Sequence, residues 1–515
     1  LRRLLALWGP LVAISVTSIV VALLLWRHLE ATSSPAARFY RAWSNDDNRA
    51  AEELAWTMVR RNPTRLNWWM RFTDAHADVI DGGEDSSISE PEIRQQLAKL
   101  SDAQASVIES YFYAIRTHSG EPDPAKVLPL ADASPPAPYA NFVLAEGALE
   151  RKDWRTAAMR FEREGWSSSD VDETSLRRAL RTRIRHDDWT AVRARINDPH
   201  WAAVVDASFR LELAVHDRDV LRVLLWVWPA SYVGTTAWPV ALALIAGALW
   251  FWIATRLGRI HDGVQGRISL YALSFVLGVL SIYPTIILGT IEDSLGFIEV
   301  GQYVPDFIYN VFGVGLREEA CKAILFLPLL RILLRRGSRI EAMTCGALVG
   351  LGFAAEENIG YFEHGADAAL SRFLSANFLH MALTALVALS MYDTLRKRAT
   401  RFDTFKVIFP LAVAVHGAYD FCLGVRDVAF SFLVSIVLLI IIAQRFLRQL
   451  LIASSREDER DVLNLFVGAM AVITGAAYIY GTTLVGPVEA LRLIALGVAS
   501  VAAVIVMFVR ELSRG

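Results

Sequence analysis

Glu318, Glu319 and Lys322 fall within five residues of one apolar stretch, and the next three apolar stretches carry Glu356-Glu357-Asn358, His380, and His416 with Asp420. Ionisable groups at the centre of a membrane span cost about 2.5–3.5 kcal/mol each on insertion scales, so a set of this size needs a compensating role. Carboxylates, imidazoles and an amine in one nonpolar region can move protons, activate a water or hold a divalent cation. Glu318 and Lys322 are spaced i,i+4 and share a helix face, where the amine keeps a glutamate ionised or orients it. His416 and Asp420 have the same spacing, which lets the aspartate fix the imidazole tautomer. Phe353 and Glu357 share another face, and Gly350 and Gly352 allow a neighbouring helix to approach closely.

The elements that hold these groups must be membrane helices. The chain has 515 residues, 54% of them hydrophobic and 21% charged, and its mean hydropathy of +0.34 is too apolar for a wholly soluble chain of this size. Lys and Arg number 52 against 54 Asp and Glu, so no basic excess is available to pair nucleic-acid phosphates. Three cysteines, Cys321, Cys345 and Cys422, exclude a disulfide framework and a Cys-rich zinc site. Leu4–Trp26, preceded by Arg2 and Arg3, is long enough to cross a bilayer and reads as a retained anchor rather than a cleaved signal. Further spans are expected over 235–255, 268–290, 306–330, 341–362, 372–395, 405–423, 428–447, 461–481 and 490–509, about ten with the first. Val223–Val233 is too short to cross and reads as an interfacial helix leading into the second span.

Loop charges orient these spans. Taking alternate connections as one side collects twenty basic residues there, among them Arg256, Arg259 and Arg267, the Arg396–Lys406 loop, Arg456 and Arg514. The opposite short loops hold Arg372 and Arg426, with Arg492 just inside the last span. That bias puts the basic side and both termini in the cytoplasm, and residues 27–222 outside it. Counting along the helices from the outer surface, Glu318 lies roughly 18 Å deep, His380 roughly 12 Å, His416 roughly 10 Å and Glu357 roughly 8 Å. All four could meet in one polar pocket opening to the extracytoplasmic side.

Residues 27–222 have the composition of a soluble helical domain. Asp153-Trp154-x-x-Ala157-x-x-x-Phe161 recurs as Asp188-Trp189-x-x-Val192-x-x-x-Ile196, and more weakly as Asp47-Asn48-x-x-Ala51-x-x-x-Ala55. Apolar residues at i and i+4 after a turn residue suit the second helix of a packed hairpin. The pattern resembles degenerate tetratricopeptide repeats, whose concave surfaces take peptides or partner proteins. No catalytic constellation occurs in this part.

Glu318-Glu319-Ala320-Cys321-Lys322, Gly352-Phe353-Ala354-Ala355-Glu356-Glu357-Asn358, His380 and His416-Gly417-Ala418-Tyr419-Asp420-Phe421 together resemble the PrsW family of intramembrane proteases. That family is related to the CAAX prenyl endopeptidases and bacteriocin-processing enzymes. The resemblance covers 268–425, leaving 1–26 as an anchor, 27–222 as an added ectodomain, 223–267 as the interfacial helix and second span, and 426–515 as additional C-terminal spans. It implies an all-α, polytopic endopeptidase of a bacterial inner membrane. The implied substrate is a single-span membrane protein cut near the extracytoplasmic side, as the founding member cuts an anti-sigma factor. Glu356 departs from the family's pattern.

Two mechanisms stay open under that resemblance. In one, Glu318 is the general base, Glu319 and Lys322 set its charge and orientation, His380 and His416 position the water or carbonyl, and Asn358 donates to the oxyanion. In the other, Glu357, His380 and His416 hold a divalent metal such as Zn²⁺, although no HExxH-type pair supports it. Asp420 orients His416 in either. Two other classes of protein would use similar residues. A proton- or cation-coupled transporter predicts a path to both faces and an internal repeat, and no repeat is visible among the spans. A non-enzymatic scaffold would leave so many costly buried charges without a role.

Overall fold

Among the residues described by the computed structural model (2–116, 124–167, 172–257, 265–363, 367–424, 431–453 and 459–512), every regular element is helical. Arg259, Arg426, Arg456 and Arg514, four of the charges used above to orient the chain, lie outside the described residues. The chain divides into two compact units, residues 28–233 and residues 1–27 together with 234–515.

In the 28–233 unit one turn is built four times. Asp46, Lys152, Asp187 and Arg218 each adopt a left-handed backbone, with φ of 57°, 61°, 57° and 54°. The aspartate that follows each, Asp47, Asp153, Asp188 or Asp219, accepts from the backbone N–H three residues on, at 3.1, 3.2, 3.4 and 3.1 Å. A carboxylate at this position satisfies an orphan donor of the new helix and opposes its dipole. Ala51, Ala157 and Val192, and then Ala55, Phe161 and Ile196, are buried in the helix that follows, so the expected i and i+4 positions do face neighbours. The fourth copy, Asp219-Val220-x-x-Val223-x-x-x-Val227, begins the Val220–Ser231 helix. That helix packs on Ala207–His216 inside this unit. Trp56, Trp69, Phe72 and Phe112 centre the larger of the unit's cores.

In the other unit, seven helices among the described residues are long and apolar enough to cross a membrane: Gly9–Thr32, Ala237–Leu257, Arg267–Ser294, Ser371–Leu395, Phe405–Gly424, Leu433–Leu450 and Val462–Val485. Pro487–Ala499 with Ala502–Glu511, bent by 56°, makes eight if counted as one broken span. About ten were expected. The two expected spans absent from this count do form helices, Leu316–Arg336 and Arg339–Glu363. Their motif glutamates and basic residues take them below the apolarity of an ordinary span.

The Ala376–Leu395 helix is buried along nearly its whole length and packs on Arg339–Glu363. Gly350 lets them touch: a Cβ there would lie 2.2 Å from the carbonyl oxygen of His380. Gln265–Ser294 and Ala237–Leu257 flank this pair. Trp250 donates its indole N–H to the Phe373 carbonyl at 2.6 Å and sits among Phe378, Phe466 and Phe508. The N-terminal helix packs where Ser18 meets Gly475 and Trp26 meets Gly486.

Candidate active site in the membrane core

Four helices deliver the site: Leu316–Arg336, Arg339–Glu363, Ala376–Leu395 and Phe405–Gly424. The first is entered through a π-helical turn, Tyr309–Gly315, a feature that often re-aims side chains at functional sites. That turn presses on the fourth helix, where a Cβ on Gly417 would lie 2.4 Å from the Asn310 carbonyl oxygen. The residue before that contact is His416.

Lys322, fully buried, organises the centre. Its Nζ lies 2.6 Å from Glu319 Oε1, 3.0 Å from His380 Nδ1 and 3.5 Å from Glu318 Oε2. It also stands over the Phe353 ring, 4.3 Å from the centroid. The i,i+4 partner expected from spacing, Glu318, is thus present, but the i,i+3 partner Glu319 is the nearer. His416 Nδ1 lies 2.9 Å from Glu319 Oε1. Its Nε2 lies 3.2 Å from Asp420 Oδ2 and 3.5 Å from Glu318 Oε2. The His380 and His416 rings are 5.0 Å apart, edge to face.

Hydrogen-bond chemistry assigns tautomers from these contacts. An ammonium has no lone pair, so Lys322 donates and His380 Nδ1 accepts. The His380 proton is then on Nε2, 3.1 Å from Glu357 Oε2, which accepts it. Glu319 likewise takes the Nδ1–H of His416, which leaves Nε2 of His416 facing two carboxylates. That arrangement calls for a proton or a cation between them.

Glu357 is held from its other side by Arg372, whose NH2 donates at 2.6 Å. Arg372 Nε also donates to Asn358 Oδ1 at 2.5 Å, and the Asn358 amide donates to Asn377 Oδ1 at 2.6 Å. Asn358 is therefore engaged at both ends of its amide. Glu356 is half-buried. Arg317 pairs with Glu292, at the edge of the cluster.

All eight singled-out residues, Glu318, Glu319, Lys322, Glu357, Asn358, His380, His416 and Asp420, lie in one connected network. Arg372 and Asn377 complete it and were not anticipated as site residues. Arg372 had counted only as a loop charge. Its position eight residues before His380, on a side nearly free of basic residues, was the available signal.

The donor set fits a divalent metal. One ligand atom each from Glu318, His380 and His416, all buried, lie within 4.8 Å of one another. Zinc holds such N and O atoms at about 2.0–2.2 Å, so two atoms on one ion stand no more than about 4.4 Å apart, and these side chains need to close by only a few tenths of an ångström to share one. Second carboxylate oxygens of Glu318 and Glu319 are buried without a hydrogen-bond partner, a costly state that a cation or a bound water relieves. With both histidines neutral, the carboxylates Glu318, Glu319, Glu357 and Asp420 face the cations Lys322 and Arg372, leaving two negative charges among these groups. Of the conditional metal set named from the sequence, His380 and His416 are brought together with Glu318, while Glu357 packs against His380 and Arg372.

A helical membrane core that buries carboxylates, imidazoles and an ammonium in one network has the make-up of a membrane-embedded enzyme. Residues 266–445 match the sequence model of the PrsW-protease family, described as PrsW family intramembrane metalloprotease. The match implies intramembrane protease activity for this part of the chain. The match runs past the motif helices into Ser431–Ala453. No curated protein and no solved structure matches the chain.

Proposed function

We propose that this protein is a metal-dependent intramembrane endopeptidase that cuts single-span membrane proteins near the extracytoplasmic side of a bacterial inner membrane. The observation that carries the reading is the buried convergence of Glu318, His380 and His416, with donor atoms within 4.8 Å of one another. An anti-sigma-factor-like regulator is the substrate type that the family resemblance favours. Both termini are cytoplasmic in this reading, and the Leu316–Arg336 and Arg339–Glu363 helices cross the membrane with the apolar ones. The 28–233 unit, read as tetratricopeptide-like from its repeated turn, lies outside and selects substrate or binds a regulatory protein.

Glu318, His380 and His416 would hold the ion, and Zn²⁺ suits their N and O donors. When bound, it would lower the pKa of a water and polarise the scissile carbonyl. The chain's own groups do the rest. Glu319 holds the Nδ1–H of His416 and leaves its Nε2 lone pair for the ion, whereas His380, held by Lys322 at Nδ1 and by Glu357 at Nε2, would give up one of these two contacts to bind it. Glu318 would give one carboxylate oxygen to the ion, and its other oxygen would accept the proton of the attacking water. Asp420, the more open carboxylate, backs His416 Nε2 at 3.2 Å. Arg372, Asn358 and Asn377 fix Glu357 against His380.

The test is co-expression of wild type or Glu318→Gln with single-span candidate substrates, followed by their fragments on gels. Wild type should release a fragment ending near the extracytoplasmic boundary, and Glu318→Gln should slow this by about a hundred- to ten-thousand-fold. Equal cleavage by both would remove Glu318 from the chemistry. A proton flux dependent on Glu318, with no cleavage of any substrate, would favour transport instead.

A further inference from the structure

At the far end of the same helices from the acid cluster is a second polar cavity, of about 130 Å³. Asp393, on its wall, follows His380 by thirteen residues in one helix, which separates the two by about 20 Å. Arg339, Arg398 and Arg445 line the cavity with Asp393, Asp403 and Gln449. Two of the guanidiniums are committed: Arg339 to Asp393 Oδ2 at 2.9 Å, and Arg445 to Asp403 Oδ1 at 2.9 Å. Arg398 makes no ion pair among the described residues, so the cavity keeps one positive charge in excess. Nε of Arg339 and of Arg445 is buried without a hydrogen-bond partner, and so is Asp393 Oδ1. These are donors and an acceptor that the protein alone leaves unused, at a cost.

We propose that this cavity binds a phosphate oxyanion, with Arg398 as its principal contact and Arg445 and Gln449 beside it. Guanidinium groups match phosphate geometry with paired N–H donors, and Arg398 is exposed and open to a ligand. The surrounding loop carries Arg396, Lys397, Arg401 and Lys406, which draw anions towards the site. The cavity lies near the start of Arg339–Glu363 and Phe405–Gly424 and the end of Ala376–Leu395, with Arg445 of Ser431–Ala453 beside it. That is the level of lipid headgroups for a spanning bundle, so the phosphate of an anionic phospholipid and free inorganic phosphate are both sources of this chemistry.

The full-length protein, purified in detergent and delipidated, would be titrated with phosphatidylglycerol, with phosphatidylcholine and with inorganic phosphate. Native mass spectrometry and thermal melting would report binding. Stabilisation by phosphatidylglycerol alone, lost in Arg398→Gln, identifies a lipid site. Stabilisation by inorganic phosphate with the same dependence identifies a soluble ligand, and either result supports the proposal. Affinity should fall by about tenfold or more in Arg398→Gln. That variant breaks no ion pair, so its unliganded melting temperature should match wild type. Arg445→Gln is the second variant, also expected to weaken binding. Equal binding by wild type and both variants, or no preference for phosphatidylglycerol or inorganic phosphate over phosphatidylcholine, whose phosphodiester is balanced by its own ammonium, overturns the proposal.

Discussion

Lys322 Nζ lies 3.0 Å from His380 Nδ1 while also 2.6 Å from Glu319 Oε1. One buried ammonium thus fixes a histidine from one helix and a carboxylate from another, and that carboxylate in turn fixes His416. The site is a chain of assigned donors and acceptors rather than a loose group of polar residues. Each link can be cut separately.

Lys322→Met removes the cation and leaves Glu319 buried without its counter-charge. Breaking a buried pair from one side costs about 3–5 kcal/mol. The variant should melt well below wild type in detergent, and activity should be lost. A melting temperature equal to wild type would show that the carboxylates around Lys322 are neutral.

Arg372 touches Glu357 and Asn358 but neither of the groups that would carry the water. Arg372→Met should lower cleavage by about 10- to 100-fold, the range for a residue that orients another. Arg372→Lys should recover only part of this, because an ammonium cannot reproduce the fork to Glu357 and Asn358. Full recovery by lysine would mean that only the charge matters. The readout is initial cleavage rate at matched protein levels.

Gly417→Ala places a methyl group 2.4 Å from the Asn310 carbonyl oxygen. The π-helical turn or the His416 helix must move apart, at about 1–3 kcal/mol. Melting temperature should drop and cleavage should fall with it. Gly360→Ala is the control, since nothing lies within 4 Å of a Cβ there, and it should behave as wild type.

Much of this was legible in the sequence, for physical reasons. Charges inside apolar stretches are expensive, so Glu318, Lys322, His380 and His416 stood out without any structure. The aspartate before each repeated helix was readable too, because capping is local. What stayed hidden depended on side-chain rotamers within a helix and on the rotation of one helix about another. Spacing on a single helix gave Glu318 as the partner of Lys322, whereas Glu319 is closer. It also gave Asp420 as the residue orienting His416, while Glu319 takes the Nδ1–H. The residues alone put Glu357 with the two histidines as metal ligand and Glu318 as general base, whereas Glu318 is the carboxylate gathered with both imidazoles and Arg372 holds Glu357. The fourth turn, at Asp219, was obscured because its helix is apolar enough to resemble a membrane-surface segment.

The central claim is that Glu318, His380 and His416 hold a catalytic metal. The direct measurement is metal content by elemental analysis alongside substrate cleavage, on wild type before and after chelation, and on His380→Ala and His416→Ala. The account predicts about one zinc per wild-type chain, loss of cleavage on chelation with recovery on adding zinc, and both low metal and no cleavage in the histidine variants. Undiminished cleavage by the metal-free protein would contradict it.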